Sequence, residues 1–376
     1  MAKEVDTVID GHKIFLHPKK EAIWDILGDC YPIHIEAGIT NRCNHKCIFC
    51  ALDFLENRGT DIDRDVMISA LEDMAKPKIK YSLSAQINDR TGIYEDNVKS
   101  IMFGGEGEPT LHPYLGLFTQ KAKEFGLDVA LTTNGVRFNK EQQEMCLPHL
   151  SWVKFSVDAG TSKTYSKVHG TGERNFNTLL DNISSSIRLK REQHLDVTIG
   201  TQYLMLPQNM GEEDLKSIIG IFKEIHPDYL AIKPYSDHPK SPKDLIVQAE
   251  DYKRLEKILK ETNPQDYFKV LFREGTIQRI QKGNTYPACY GLPFITLVDS
   301  KGNMLPCNLF YDNEEFTYGN LYKNNFSEIW TSQKRKEVIN KLRMKGMEEC
   351  RKGCRCDAGN NYLSRIKNPL AHDNFT

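Results

Sequence analysis

Three cysteines near the N-terminus carry the densest chemistry in the chain: Cys43-Asn44-His45-Lys46-Cys47-Ile48-Phe49-Cys50. Their spacing, C-x3-C-x2-C, places three thiols on one short loop. Three thiolates this close hold three irons of a [4Fe–4S] cube and leave the fourth iron without a protein ligand. An iron with a vacant position can bind and reduce a small molecule, whereas a structural zinc site takes four ligands and keeps no vacancy. Five further cysteines come late, at Cys289, Cys307, Cys350, Cys354 and Cys356. Cys30 and Cys146 stand alone and read as small buried apolar side chains. Clustering of this kind points to metal rather than to disulfides.

The elements that must position these thiols follow from hydrophobic periodicity. From about residue 32 to 235 strand-like and helix-like stretches alternate. The strand-like runs are Ile33–Ile39, Ser100–Phe103, Asp128–Thr132, Trp152–Val157, Val197–Leu204 and Tyr229–Ile232. Helix-like stretches lie between them at 63–75, 115–125, 139–146, 176–191 and 212–225. In 176–191, Phe176, Leu180, Ile183 and Ile187 make an apolar face, with Thr178, Asn182 and Ser185 opposite. Six such units predict an α/β fold: a parallel barrel-like sheet with helices outside and chemistry at the C-terminal strand ends. The cysteine loop directly follows the first strand, where an active-site loop belongs.

Residues 55–99 form a long, charged first connection ending in the irregular stretch Ser84–Asn97, which reads as a lid, an insertion or a solvated surface loop. Residues 236–249 read as a linker and 250–283 as one or two helices. After Tyr286-Pro287 comes a hairpin, Phe294–Val298 and Asn303–Leu309 around Asp299-Ser300-Lys301-Gly302, and then a helix near 331–345. The expected division is an N-terminal extension (1–31), a barrel (32–240), a helical linker (241–285), a cysteine-bearing domain (286–360) and a tail (361–376).

The cysteine loop, with Phe103-Gly104-Gly105-Glu106 following a strand about 50 residues later, resembles the signature of the radical S-adenosylmethionine (SAM) superfamily. That resemblance implies a partial (β/α)6 TIM-like barrel. It also implies that Cys43, Cys47 and Cys50 bind a [4Fe–4S] cluster whose open iron chelates SAM. One electron then splits the sulfonium, and the resulting 5′-deoxyadenosyl radical takes a hydrogen atom from the substrate. Phe49 matches the aromatic position beside the adenine, and Gly104, Gly105 and Glu106 the contact to the methionyl amino group. Ser156 and Asp158, ending the fourth strand, match the ribose or carboxylate contacts, with Asn134, ending the third, beside them. Gly200 matches a backbone contact to adenine, and Gln202 faces SAM or substrate. On residue type alone the alternatives are ordinary: a tight glycine turn, Asn, Asp and Ser as caps or turn formers, and a bulge at Gly200. Lys233, Tyr235 and His238 at the end of the sixth strand read as substrate contacts, Lys233 for a phosphate or carboxylate. They read equally as a surface lysine, a packed tyrosine and a turn histidine.

The late cysteines resemble the C-terminal SPASM/twitch extension of one radical SAM branch: Cys289 and Cys307 flank the hairpin, and Cys350, Cys354 and Cys356 follow. This implies an auxiliary [4Fe–4S] cluster on Cys289, Cys307, Cys350 and Cys354, with Cys356 able to replace Cys354. The spare thiol is then a packed side chain or, catalytically, a hydrogen-atom donor. A zinc site is the other metal reading. The implied activity is dehydrogenation, epimerisation or dehydration of a small polar substrate (sugar, aminosugar or nucleotide-linked intermediate), with a flavodoxin or ferredoxin as electron donor. The alternatives are a peptide or protein maturase and a non-catalytic metal scaffold. Only about 30 residues precede the first strand, so neither a leader-peptide domain nor a corrinoid-carrying domain is expected. With 50 basic against 51 acidic residues there is no nucleic-acid footprint. Without an apolar span or signal core, a cytoplasmic protein is expected, not a membrane one.

Overall fold

The computed structural model describes residues 11–55, 59–77, 79–84 and 91–375. After helix α1 (Pro18–Leu27) the chain enters β1 (His34–Ala37), α2 (Arg64–Ala75) and a hairpin of β2 (Ile79–Ser84) and β3 (Thr91–Asp96). Then come β4 (Ser100–Phe103), α3 (Leu115–Glu124), β5 (Asp128–Thr133), α4 (Lys140–Cys146) and β6 (Trp152–Ser156). Helices α5 (Ser162–His169) and α6 (Arg174–Glu192) lead to β7 (Thr198–Met205), α7 (Glu212–Ile225) and β8 (Tyr229–Pro234). The chain continues through α8 (Ala249–Thr262), β9 (Lys269–Phe272) and α9 (Glu274–Lys282). It ends in β10 (Ile295–Val298), β11 (Asn303–Leu305), β12 (Gly319–Asn320), α10 (Phe326–Thr331), α11 (Gln333–Lys345) and α12 (Asp357–Lys367).

One sheet holds the molecule together, in the order β12-β11-β10-β1-β4-β5-β6-β7-β8-β9. From β10 to β9 every neighbouring pair is parallel; β11 and β12 add antiparallel at one edge. The six strands β1, β4, β5, β6, β7 and β8 are the expected partial barrel. Alternation sorts their side chains. On β6, Val153 and Phe155 are fully buried in the main core, while Trp152, Lys154 and Ser156 are half-buried and turn to the lumen.

Several details depart from the sequence-based expectation. The 55–99 connection carries the helix expected at 63–75 as α2, started by Asp63 accepting from the N–H of Asp65 and Val66, but then adds the β2–β3 hairpin in place of an irregular stretch. Its central residues, 85–90, lie outside the described residues. The 250–283 stretch holds a strand between its helices, because Lys269–Phe272 pairs parallel with β8. The helix expected near 331–345 is α11, capped by Ser332, whose Oγ accepts from Arg335 N–H, and the short α10 that precedes it was not expected. Helix α5 was not expected; its side chains are mostly polar, and only Tyr165, Val168 and His169 are buried.

Candidate active site

The cysteine loop sits at the C-terminal end of β1 and is held from three sides. From α5, Lys46 N–H donates to His169 O and Ile48 N–H to Val168 O, both at 3.0 Å. From the end of β5, Asn134 Nδ2 donates to Asn44 Oδ1 at 2.8 Å. From the segment after β4, Glu108 N–H donates to Arg42 O at 2.8 Å. Within the loop Cys50 N–H reaches Cys47 O at 3.1 Å, which closes the turn that gathers the three thiols. All three are half-buried. Burial pushes the Cys47 thiol up, and the charges of Cys43 and Cys50 push it further. Three thiols that oppose one another's ionisation in a partly dry site suit a polycationic iron–sulfur core, so the donor set fits a [4Fe–4S] cluster.

His169 completes the loop's seat. Its Nε2–H donates to Val157 O at 3.1 Å, which leaves Nδ1 3.3 Å from Cys47 Sγ. Burial, with His45 beside it, lowers the imidazole to about 3, so it is neutral. Phe49 packs edge-on against the same ring, centroids 5.3 Å apart. Sequence reasoning passed over His169 because α5 itself was not foreseen.

The glycine-rich segment after β4 reaches the cysteine loop at Gly107 and Glu108. Glu106 turns to the β10–β11 turn, where Oε2 accepts from Ser300 N–H at 2.8 Å. Glu108 is the carboxylate beside the cysteine loop. It is buried; Oε1 accepts from Thr110 N–H, Thr110 Oγ1 and Thr133 Oγ1, and Oε2 from Asn134 N–H. A Cβ at Gly107 would lie 2.4 Å from Thr40 O and 2.5 Å from Arg42 O, so glycine is what lets this strand end close on the loop. Gly104 is packed the same way against Thr132 Oγ1, whereas Gly105 is exposed and has Tyr311 Oη as its nearest neighbour, 3.4 Å from where a Cβ would be.

The other residues matched to cofactor contacts have these partners within the protein. Asn134 spends its side chain on Asn44 and on Val136 N–H, so it positions the cysteine loop. Asp158 is fully buried; Oδ1 accepts from Leu204 N–H, and its carbonyl accepts from Asn209 Nδ2 at 2.8 Å, tying β6 to β7. The room a Cβ would take at Gly200 is filled by the Tyr229 ring, 2.0 Å from Cζ, which accounts for that glycine by packing. Ser156 and Gln202 stand side by side in the β6–β7 register and face the lumen. Lys233 is half-buried, on the lumen side of β8. Tyr235 is buried, with its hydroxyl 3.3 Å from Asp237 Oδ1.

The five late thiols converge. Cys354 interacts electrostatically with Cys289, Cys307 and Cys350 alike, while Cys356 interacts with Cys289 and Cys354. Cys356 N–H donates to Cys354 Sγ at 3.2 Å, and Asn360 Nδ2 to Cys289 Sγ at 3.5 Å. Hydrogen bonding from Cys356 holds the Cys354 thiol below its ordinary value. This set also fits an iron–sulfur cluster by donor type and number. Its loop docks on the barrel: Arg351 Nε donates to Ser236 Oγ at 2.9 Å, and Arg355 pairs with Glu36 on β1.

Comparison with known proteins agrees with these two thiol groups. The family model described as Radical SAM superfamily matches residues 38–219, and the one described as SPASM, an iron–sulfur cluster-binding domain, matches residues 289–357. A Helicobacter pylori protein described as a UPF0026 protein is 25% identical over 187 residues, 49% of this chain and 55% of that one. A probable GTP 3′,8-cyclase of Saccharolobus islandicus is 25% identical over 311 residues, 77% of this chain and 87% of that one. The chain thus spans about half the length of some curated relatives and most of another. The fold is shared with Streptococcus suis SuiB bound to the precursor peptide SuiA, at a TM-score of 0.63 and 14% identity, covering 88% of this chain and 71% of that one.

Proposed function

This chain belongs to the radical SAM superfamily and carries a SPASM iron–sulfur domain, and from that premise we propose that it acts on a small polar substrate, a sugar, aminosugar or nucleotide-linked molecule, by dehydrogenation, epimerisation or dehydration. Its cofactors are SAM, the SAM-binding [4Fe–4S] cluster and an auxiliary [4Fe–4S] cluster. When bound, they supply one-electron cleavage of the SAM sulfonium and removal of one carbon-bound hydrogen atom from the substrate.

The residues of the chain do the rest. Cys43, Cys47 and Cys50 hold the first cluster; Asn134, Glu108 and the end of α5 keep their loop in place. The Gly104–Gly107 segment, Phe49, Ser156 and Gln202 border the space for SAM. Cys289, Cys307, Cys350 and Cys354 hold the auxiliary cluster, and Cys356 is the spare thiol next to it. The barrel lumen encloses the reacting carbon and keeps water and stray C–H bonds away.

The observation that carries this reading is the three-thiol loop set at the mouth of β1 together with a second thiol group later in the same chain. A small substrate is supported by the polar lumen and by the relative whose name specifies GTP. The test is 5′-deoxyadenosine formation from SAM and dithionite by anaerobically reconstituted protein. Wild type is expected to form it, and Cys43→Ala, Cys47→Ala and Cys50→Ala each to lose it entirely. Wild type that leaves SAM intact overturns the reading.

A further inference from the structure

Lys154 and Lys233 stand on the lumen face of the barrel, on β6 and β8. Neither ammonium has a hydrogen bond or an ion pair to any described residue; the nearest ring to Lys154 is Trp152, 5.9 Å from Nζ. Both are surrounded by protein yet keep some solvent contact, as expected for groups bordering an enclosed, water-holding space. Burial lowers both amines, Lys154 to about 8, and each is lowered further by Arg273, which follows β9. Lys233 is also lowered by Lys154.

The carboxylates nearby, Glu36 and Asp158, offset the two lysines only in part. Glu36 is taken by Arg355. Asp158 has one oxygen on Leu204 N–H and favours the charged form of both lysines, but it stands beyond ion-pair distance of either. Arg351 and Arg355 reach the same space from the late cysteine loop, but both are engaged, Arg351 with Ser236 and Arg355 with Glu36, and both lie beside the Cys354 thiol. A desolvated ammonium without a counter-ion is costly, and two together more so, unless an anion shares the cavity in the working state. SAM brings a single carboxylate, which does not match two lysines.

We propose that Lys154 and Lys233 form the anion-binding floor of the lumen and that the substrate is a phosphorylated small molecule whose phosphate groups they hold. This deepens the function proposed above and rests on it. Charge-assisted bonds from ammonium to phosphate are strong, each lysine acting as a point charge.

The test is isothermal titration of anaerobically reconstituted protein, kept apart from the SAM-cleavage assay so that each idea can fail alone. The probes are pyrophosphate, GTP, guanosine, glucose 6-phosphate, glucose and S-adenosylhomocysteine. At least one phosphorylated probe is expected to bind saturably, at least tenfold tighter than its neutral counterpart and more weakly as salt rises from 50 to 500 mM. The better of GTP and glucose 6-phosphate identifies a nucleoside or a sugar scaffold. Lys154→Met and Lys233→Met are each expected to weaken that binding at least tenfold, while Lys257→Met, on the exposed side of α8, leaves it unchanged. Should either lumen variant misfold by circular dichroism, the neutral-counterpart comparison and salt series on wild type decide alone. Failure of every phosphorylated probe to bind, equal binding of the neutral counterparts, or loss of S-adenosylhomocysteine binding only, overturns the proposal.

Discussion

Glu106 and Glu108, one residue apart, have opposite surroundings. Burial raises the Glu106 carboxyl to about 7, against the Ser300 N–H that favours its ionised form. A folded-state value above the unfolded one means that the folded chain holds a proton the unfolded chain has lost. The associated stability is complete below about pH 4.5 and is lost as pH rises through about 7. Glu106→Gln stays neutral throughout. Its stability relative to wild type should therefore climb between pH 4.5 and 8, by about 3 kcal/mol in urea unfolding, with iron content unchanged. Parallel stability curves would refute the assignment. Glu108→Ala, in contrast, strands Asn134 N–H and two threonine hydroxyls beside the cysteine loop, and should lower the iron retained after reconstitution. The Gly-Gly-Glu pattern pointed to this segment, and Glu108, two positions on, is the carboxylate bonded beside the cysteine loop. Only packing shows that Gly107, with Thr40 O and Arg42 O against it, is the point of closest approach.

At the scale of elements, the strands were legible because their apolar runs are long and alternate; Trp152-Val153-Lys154-Phe155-Ser156 also announces which side chains face inward. Short, polar elements were not. Helix α5 buries only Tyr165, Val168 and His169, too little periodicity to detect, yet it forms the seat of the cysteine loop. Strand β9 escaped because its identity comes from pairing with β8, not from its own composition. The end of α5 is also sterically exacting. Gly170 has φ +57°, and a Cβ there would sit 2.2 Å from Lys46 O. Gly170→Ala is expected to destabilise the protein by roughly 1–2 kcal/mol from the left-handed backbone alone, with a further penalty from the clash. It should also reduce iron per chain, because Lys46 and Ile48 are displaced from their hydrogen bonds. A variant within 0.5 kcal/mol of wild type and fully loaded with iron would show that α5 does not set the loop.

At the scale of the whole molecule, the late cysteine-bearing region and the barrel share one sheet. Strand β10 lies parallel to β1 from Ile295 opposite His34 to Val298 opposite Ala37, on the side of β1 away from β4. Around that seam, Trp330 Nε1 donates to Cys30 O at 2.9 Å, Ser327 N–H to Asp73 Oδ2 at 2.7 Å, and buried Arg335 makes a two-pronged pair with Asp29. Trp330 also lies under the Arg335 guanidinium, 3.4 Å from the ring centroid. Opening the late region alone would expose the edge of β1, strand the Arg335 charge and break the buried contacts around Trp330, so the two parts should unfold as one unit. Trp152 on β6 and Trp330 on α10 give a reporter in each. In the reconstituted protein, Trp24→Phe with Trp330→Phe leaves the barrel reporter, and Trp24→Phe with Trp152→Phe leaves the late one. Urea transitions followed by the two fluorophores should share one midpoint and one slope once each pair's own stability change is measured by circular dichroism. If the Trp330 signal melts at lower urea than the circular dichroism of the same variant, the sheet is not the continuous cooperative element that its register implies.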